Sequence, residues 1–354
     1  MPTVEKSVSL KSYNTFAVDV SAQYFAQVCT PEDIRSVLAD PRYGQLPRFV
    51  LGGGSNTLFT KDFEGLVLHM NGGTIEVTDE NDRFYFVKVS AGIVWDDFVR
   101  HAIESGWYGI ENLAAIPGTV GGAAVQNIGA YGVEVAEHIV EVECFDPDRR
   151  AMRVLSAEDC DYGYRASRFK TTEKNLIVTS VLFALSKTFN PVYGYKELEA
   201  IFGDRRPESA KELEEAVRAV RARKLPDPKV LPNAGSFFKN PVVTRTKMLH
   251  LLEETPSLVS YPLGGARAKR AAGWLIEACG LKGKRMAVPP WWPSPSAPAG
   301  CGGGWSSPKA GWWTPPASWP SPFLTRATSA RPCRPARPMC STARSPGRGT
   351  GGRW

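Results

Sequence analysis

The sequence predicts an α+β protein built of short mixed elements rather than a regular βαβ array. Two observations point there. From about residue 15 to 187, short β-branched apolar runs alternate with helical apolar spacing and Gly-rich loops. From about 190 to 285 two helical stripes follow: Leu213, Val217 and Val220, then Ala268, Ala272, Leu275 and Cys279, the second closed by Gly280. At 354 residues the chain is long enough for two domains, each with its own core.

In chain order, Thr30-Pro31-Glu32-Asp33 opens a helix, with a Thr cap, Pro in the first turn and acids at the positive end of the dipole. Ile34, Val37 and Leu38 give that helix its core face. Phe49-Val50-Leu51 is a buried strand running straight into Gly52-Gly53-Gly54. Phe84 to Val89 and Leu176 to Leu185 read as strands. Val94, Phe98, Val99, Ala102 and Ile103 mark an amphipathic helix between them.

Residues 286–354 follow a different rule. They hold half of the 28 prolines and seven of the ten tryptophans, but Val288 and Leu324 are their only Val, Leu or Ile. So few aliphatic residues cannot offset the entropy of ordering, and proline suits neither helix interiors nor ladders. One reading is a Trp- and Pro-rich binding tail. The reading we favour is a frameshift, because Pro, Gly, Ala, Arg, Ser and Trp are what a GC-rich gene yields out of frame. Translating the other two frames after codon 285 tests this: finding no periodic, acid-containing sequence there would sink it.

The tail also explains the charge. The formal net charge is +7, but no Asp or Glu follows Glu277. Residues 1–285 carry 35 basic and 36 acidic residues, so the body gives no argument for nucleic-acid binding. Seven cysteines and four histidines show neither CxxC nor HExxH spacing, which argues against a metal site and a disulfide scaffold. There is no apolar run of roughly 20 residues and no signal-peptide pattern. A cytoplasmic monomer without membrane insertion is the expectation.

Four loops could carry chemistry. Gly52-Gly53-Gly54-Ser55-Asn56 follows a strand; its amides can converge on an anion such as a pyrophosphate, or it is a tight turn. It fits neither GxGxxG nor GxxxxGK[ST]. Ala114 to Gly132, with Gly118, Gly121, Gly122 and Gly129, is small-residued and nearly uncharged. A large flat ligand can lie against such backbone, with Gln126 and Asn127 at ring or phosphate edges. A Gly-rich connector is the alternative. In Tyr162-Gly163-Tyr164-Arg165, the arginine fork can clamp a carboxylate. From spacing alone, a surface arginine stacked on tyrosine is the simpler reading. In Asn233-Ala234-Gly235-Ser236-Phe237-Phe238-Lys239-Asn240, Ser236 can donate a proton in a dry pocket, or the run is a strand end. No His lies nearby to make a Ser-His pair.

Together GGGSN, AAIPGTVGGA, QNIGAYG, YGYRASRFK, KLPDPK and NAGSFFKNP, in this order, resemble the UDP-N-acetylenolpyruvoylglucosamine reductase family over about Tyr13 to Arg285. The resemblance implies a vanillyl-alcohol-oxidase (PCMH-type) FAD-binding domain of two lobes over 15–187. A smaller α+β substrate domain over 190–285 would follow, incomplete here, with the aberrant tail over 286–354. It implies NADPH-dependent, FAD-mediated reduction of UDP-N-acetylglucosamine enolpyruvate to UDP-N-acetylmuramate in peptidoglycan precursor synthesis. FAD would lie over Gly52, Gly53, Gly54, Ser55 and Asn56, and over Gly118, Gly121, Gly122, Gln126, Asn127 and Gly129.

By the same resemblance, Arg165 holds the substrate carboxylate and stabilises the enolate, and Ser236 protonates it. Tyr195 covers the UDP-sugar, with Tyr193 close in register. Lys224 and Asn240 contact diphosphate and substrate, and Tyr131 reaches substrate. No metal is implied.

One departure matters. The family places a catalytic glutamate in a C-terminal segment like Leu-Glu-Pro-Glu-Val, and its Gly-x-Ala-x-Val-His segment precedes it. This chain has neither. Weak FAD binding and poor turnover are therefore expected of this polypeptide. The competing readings are another FAD oxidoreductase of the same fold, such as a small-alcohol or lactone oxidase, and a flavin-binding remnant without activity.

Overall fold

A computed structural model describes residues 2–236, 238–263, 266–282 and 284. The expected tail and the junction after Lys284 lie outside them. The first lobe holds β1 (Val4–Ser9), β2 (Ser21–Val28), α1 (Pro31–Ala39), β3 (Arg48–Leu51) and β4 (Phe63–Met70). Its sheet runs β1-β2-β4-β3, with β1 antiparallel to β2 and the other two pairings parallel. Strand alternation sends Phe25 and Val67 into one small core, with Leu10 and Leu51. It sends Ala26, Leu66 and Leu68 into the main core on the other face. A sheet buried on both faces needs apolar residues at successive positions, which is what Leu66-Val67-Leu68 supplies.

Helix α1 starts as its sequence dictates. Asp33 donates its amide to the Thr30 hydroxyl, and its carboxylate accepts the Thr30 and Cys29 amides, closing a capping box. Ile34 and Val37 are buried as expected.

The second lobe contains β5 (Ile75–Glu80), β6 (Phe84–Ser90), α2 (Trp95–Glu104), α3 (Val120–Gln126) and a two-residue pair, β7 (Gly129–Ala130) with β8 (Val133–Glu134). It continues through β9 (Ile139–Asp146), β10 (Ala151–Ser156) and β11 (Ile177–Ser186). The five long strands form an antiparallel sheet, β10-β9-β11-β6-β5. Trp95, Phe98, Val99 and Ala102 seat α2 on it. Val94, expected on that face, caps the helix instead and is 48% exposed.

The third part comprises α4 (Lys196–Phe202), α5 (Ala210–Lys224), β12 (Val242–Thr244), α6 (Arg245–Glu254), β13 (Ser260–Leu263), β14 (Arg267–Arg270) and α7 (Ala272–Ala278). Leu213, Val217 and Val220 do face a core, but it is the main core shared by the first two lobes, which also takes Leu198 and Phe202. Packing therefore runs through the expected 187–190 boundary, because α5 needs a large apolar surface that the small third sheet, β12-β14-β13, does not offer. That sheet buries only a small cluster of Met248, Leu258 and Ala268 among the described residues.

The second expected stripe needs correction. Ala268 is a strand residue, paired with Val243 and Pro262, and the helix begins at Ala272. Two alanines four apart fit either period, so the stripe could not locate the boundary. Gly280, at φ +64, does end the helical segment. No helix among the described residues is long and apolar enough to cross a membrane.

Candidate active site

The two glycine loops meet backbone to backbone. A Cβ on Gly53 would stand 2.9 Å from Gly118 Cα, and one on Gly52 would stand 2.5 Å from the Thr119 hydroxyl. Gly54 sits at φ +60, where a Cβ would fall 2.0 Å from the Tyr13 carbonyl oxygen. Ser55 donates to the Pro117 carbonyl at 3.1 Å, tying the loops together. The close approach, as much as any ligand, is why these positions are glycine. Among the described residues no oxygen accepts from the Gly53, Gly54, Ser55 or Asn56 amides. Backbone donors left in that way on a half-exposed loop form an anion nest, which fits the phosphates of a dinucleotide cofactor.

The second loop divides its glycines by task. Gly121 packs on Ala91, with a would-be Cβ at 2.8 Å from the alanine methyl. Gly118 (φ +121) and exposed Gly122 meet nothing closer than 3.2 Å and 3.6 Å, so they leave backbone open to a ligand. Gly129 makes room for Arg165: a Cβ there would stand 2.9 Å from the guanidinium.

Asn127 departs from expectation. Its side chain is 1% exposed, donating to Glu134 and the Gly163 carbonyl at 2.9 Å each and accepting the Ala136 amide. It pins the loop, at φ +42, rather than offering an edge to a ligand. Gln126 accepts from Lys170 Nζ at 2.7 Å.

Arg165 stands at the centre. Its guanidinium donates to the carbonyls of Asn127 (3.0 Å) and Gly129, lies 3.9 Å from Glu134 and packs over the Tyr164 ring. Lys269 covers the same ring, 4.4 Å from its centroid. Burial, and then the charges of Lys239 and Arg165, push Lys170 down to about 8. Burial and then the Arg165 charge lower Lys239, and burial lowers Lys269, to which Arg165 adds. Four cations thus converge with Glu134 as the acid among them. Such a cluster is arranged for an anion. Sequence spacing singled out Arg165 but not Lys170, Lys239 or Lys269, which sit on three separate segments.

Three tyrosines line one side. Tyr131 meets Tyr195 edge to face at 5.6 Å between centroids, and Tyr195 stacks with Tyr261 at 6.4 Å. Burial raises both Tyr131 and Tyr195 hydroxyls, and the Tyr261 hydrogen bond adds to the second. Arg221 and Lys224 are near enough for their charges to act on Tyr131. Lys224, half exposed, pairs with Glu197. Tyr193 turns instead to Phe202. Asn112, missed in the sequence, is 1% exposed and donates to both the Tyr131 carbonyl (3.0 Å) and the Val192 carbonyl (2.7 Å). One buried amide thus holds the Tyr131 loop to the segment that leads to Tyr195.

Ser236 is exposed, one residue past Gly235 at φ +61. Its loop is moored by buried Asn233, which accepts the Gly235 amide and donates its own to the Thr15 carbonyl at 2.8 Å. Thr15 in turn donates to Gly54, so one residue links the serine loop to the first glycine loop. Asn240 donates its main-chain amide to the Tyr164 hydroxyl oxygen at 3.4 Å, and its side-chain carbonyl accepts the Ala272 amide. Ala115, Asn127, Tyr131 and Arg165 all stand at positive φ. Strained backbone of this kind is commonly stored at functional sites. Among the described residues no group of His, Cys, Asp or Glu is placed to hold a metal.

Two family models match the chain: an FAD binding domain over residues 22–154, and the UDP-N-acetylenolpyruvoylglucosamine reductase C-terminal domain over residues 227–288. A UDP-N-acetylenolpyruvoylglucosamine reductase from Chromobacterium violaceum is 46% identical over 283 residues, covering 78% of this chain and 83% of the relative. One from Bacteroides fragilis is 44% identical over 288 residues, covering 80% and 85%. The crystal structure of the same enzyme from Thermus caldophilus superposes with a TM-score of 0.55 at 27% identity, covering 80% of this chain and 83% of that one.

Proposed function

The chain belongs to the UDP-N-acetylenolpyruvoylglucosamine reductase family, and we propose that Arg165 and Ser236 carry the family's reaction here. That reaction is the NADPH-dependent, FAD-mediated reduction of UDP-N-acetylglucosamine enolpyruvate to UDP-N-acetylmuramate, a step of peptidoglycan precursor synthesis. When bound, FAD supplies the carrier that takes hydride from NADPH and passes it to the enolpyruvyl carbon. The amides of Gly53 to Asn56 and the open backbone at Gly118 and Gly122 would hold its phosphates and ring. Gly52, Gly121, Gly129 and Asn127 would shape that bed through their packing and hydrogen bonds.

Arg165 carries the reading. Two of its five donors are committed to loop carbonyls, which fixes the direction of the rest. A substrate carboxylate bound there sits among four cations. When hydride adds to one enolpyruvyl carbon, the electron pair shifts toward the neighbouring carbon and the carboxylate, and Arg165 already faces the growing charge. Ser236 then gives its proton to that carbon. Tyr131 and Tyr195 pack the UDP-sugar, and Lys224 and Asn240 reach its diphosphate and sugar. A glutamate after Glu277 is missing, so turnover by this polypeptide is slow.

A cytoplasmic monomer that binds no nucleic acid completes the proposal; the near-neutral body over residues 1–285 supports it. The test is a titration of the FAD-loaded protein with the enolpyruvyl sugar, read by flavin absorbance, for the wild type and Arg165→Met. Saturable perturbation lost in Arg165→Met is expected. Equal binding by both would overturn the role of Arg165. Oxidation of the reduced protein by O₂ with an alcohol substrate, in place of NADPH and the sugar, would favour an oxidase of the same fold.

A further inference from the structure

Beyond its charge in the cationic cluster, Lys170 has no role assigned so far, yet its surroundings are unusual. It is half-buried on the turn after Arg165, and its Nζ donates to Gln126 Oε1 at 2.7 Å and to the Arg165 carbonyl at 3.1 Å. No carboxylate pairs with it among the described residues. The groups that face it are Gln126 from α3, Arg165 from its own turn and Lys239 from the segment before β12. Beyond them, Glu134 and Lys269 act on Arg165.

The hydrogen bonds close a ring. Arg165 reaches the 126–129 stretch twice. Its guanidinium grips the Asn127 and Gly129 carbonyls, and its main-chain carbonyl is tied through Lys170 to the Gln126 side chain. Between the two grips Arg165 stands at φ +54, a conformation that a long side chain keeps only when its surroundings over-determine it. The turn's own pair, Gly163 with Ala166, fixes the chain on either side but leaves the Arg165 carbonyl to Lys170.

We propose that Lys170 is a positioning residue for Arg165, and that its ammonium, left without a carboxylate, makes the site's hold on an anionic substrate depend on pH. This rests on the reading that Arg165 binds the substrate carboxylate. The sign follows from the charges. Burial and the two cations push the Lys170 proton off at about 8, so below that pH the ammonium adds to the cationic cluster and holds Arg165 in place. An arriving carboxylate favours the protonated form. By linkage, affinity is full below about pH 8 and falls by up to about tenfold per pH unit above it.

The experiment is isothermal titration calorimetry of the FAD-loaded full chain with UDP-N-acetylglucosamine enolpyruvate, from about pH 6 to about pH 10, a range that brackets a perturbed lysine. The proposal expects an alkaline fall in affinity for the wild type. Lys170→Met binds about tenfold more weakly at low pH, and its profile is flat. Lys170→Arg keeps the charge and the donors but cannot titrate in this range, so it binds tightly with a flat profile. Retention of the wild-type fall by either variant overturns the proposal and assigns the titration to another group. Should Lys170→Met fail to fold, Lys170→Arg still decides. Arg165→Met separates the two levels: wild-type binding by that variant, or no binding by the wild type, overturns the reading beneath the proposal, whereas weak Arg165→Met binding with an unaltered Lys170→Met overturns the proposal alone.

Discussion

Arg218 forks onto Asp96 with both arms at 2.8 Å, joining α5 to α2 across 122 residues of sequence. The same Asp96 accepts the Ala115 amide at 2.6 Å, while Arg221, one turn along α5, donates to the Ala115 carbonyl at 3.2 Å. Ala115 stands at φ +56, three residues before the Gly118 bend. A helix that carries Lys224 at its end therefore also fixes the loop proposed to bear on the flavin.

Breaking this fork should cost stability and cofactor together. Arg218→Met removes the bidentate partner of Asp96 and a partner of the 1%-exposed Glu214, although Arg100 still reaches Asp96 and Lys211 still reaches Glu214. With the pair about one-fifth exposed, a loss of about 2 kcal/mol is expected, below that of a fully buried pair. Thermal unfolding and FAD affinity measure it; a variant with unchanged melting and unchanged FAD affinity would contradict the clamp.

The fork also predicts acid sensitivity. Burial acts to raise the Asp96 carboxyl, but the Arg218 hydrogen bonds and the Ala115 amide outweigh it and hold it below the ordinary value. A depressed carboxylate contributes its stability above the unfolded value and loses it as pH falls through the folded one. The wild type should therefore lose stability below about pH 4 more steeply than Asp96→Asn, as denaturant midpoints across that range would reveal.

Glycine substitutions should separate fold from ligand. Gly54→Ala places a methyl on the Tyr13 carbonyl in a left-handed conformation, and a loss of about 2 kcal/mol or more is expected. Gly122→Ala meets only ordinary contact with Thr119, so folding stays within about 0.5 kcal/mol while FAD affinity falls. Parallel melting curves and flavin titrations would distinguish the two; equal loss of stability in both would remove the distinction.

What could be read in advance follows from what leaves a local mark. Gly52 to Gly54 and Gly121 were legible because close packing there admits no side chain. The α1 cap was legible because Thr30 and Asp33 act on each other. Asn127 was recognised as important but assigned outward, since spacing does not tell which carbonyl an amide finds. Asn112, Asn233 and Lys170 were not legible at all: among their partners are two carbonyls and an amide oxygen 80, 7 and 44 residues away. The stripe on α5 was plain, but the core that receives it is a tertiary fact.

Asn112 offers a test of that hidden layer. Asn112→Leu removes both donors and leaves the Tyr131 and Val192 carbonyls without this partner, at a cost of about 1–3 kcal/mol. The larger effect should fall on the Tyr131–Tyr195 wall, raising the dissociation constant for the enolpyruvyl sugar while FAD affinity changes little. An Asn112→Leu protein with native sugar affinity would show that the two tyrosine segments hold their places without it.

The last prediction concerns the missing acid. Arg165 and Ser236 are both present, but no carboxylate follows Glu277 in the sequence, whereas the family resemblance places a glutamate beside them. Losing one group that acts on a developing negative charge costs about 10²–10³ in rate. NADPH oxidation dependent on the enolpyruvyl sugar should be slower than in a full-length relative by about that factor or more. Replacing residues 286–354 with the C-terminal segment of a relative should restore it, and Glu→Ala at the restored glutamate should abolish the gain. The wild-type chain running at the relative's rate would mean that Arg165 and Ser236 suffice, and that the proton reaches the substrate without a carboxylate's help.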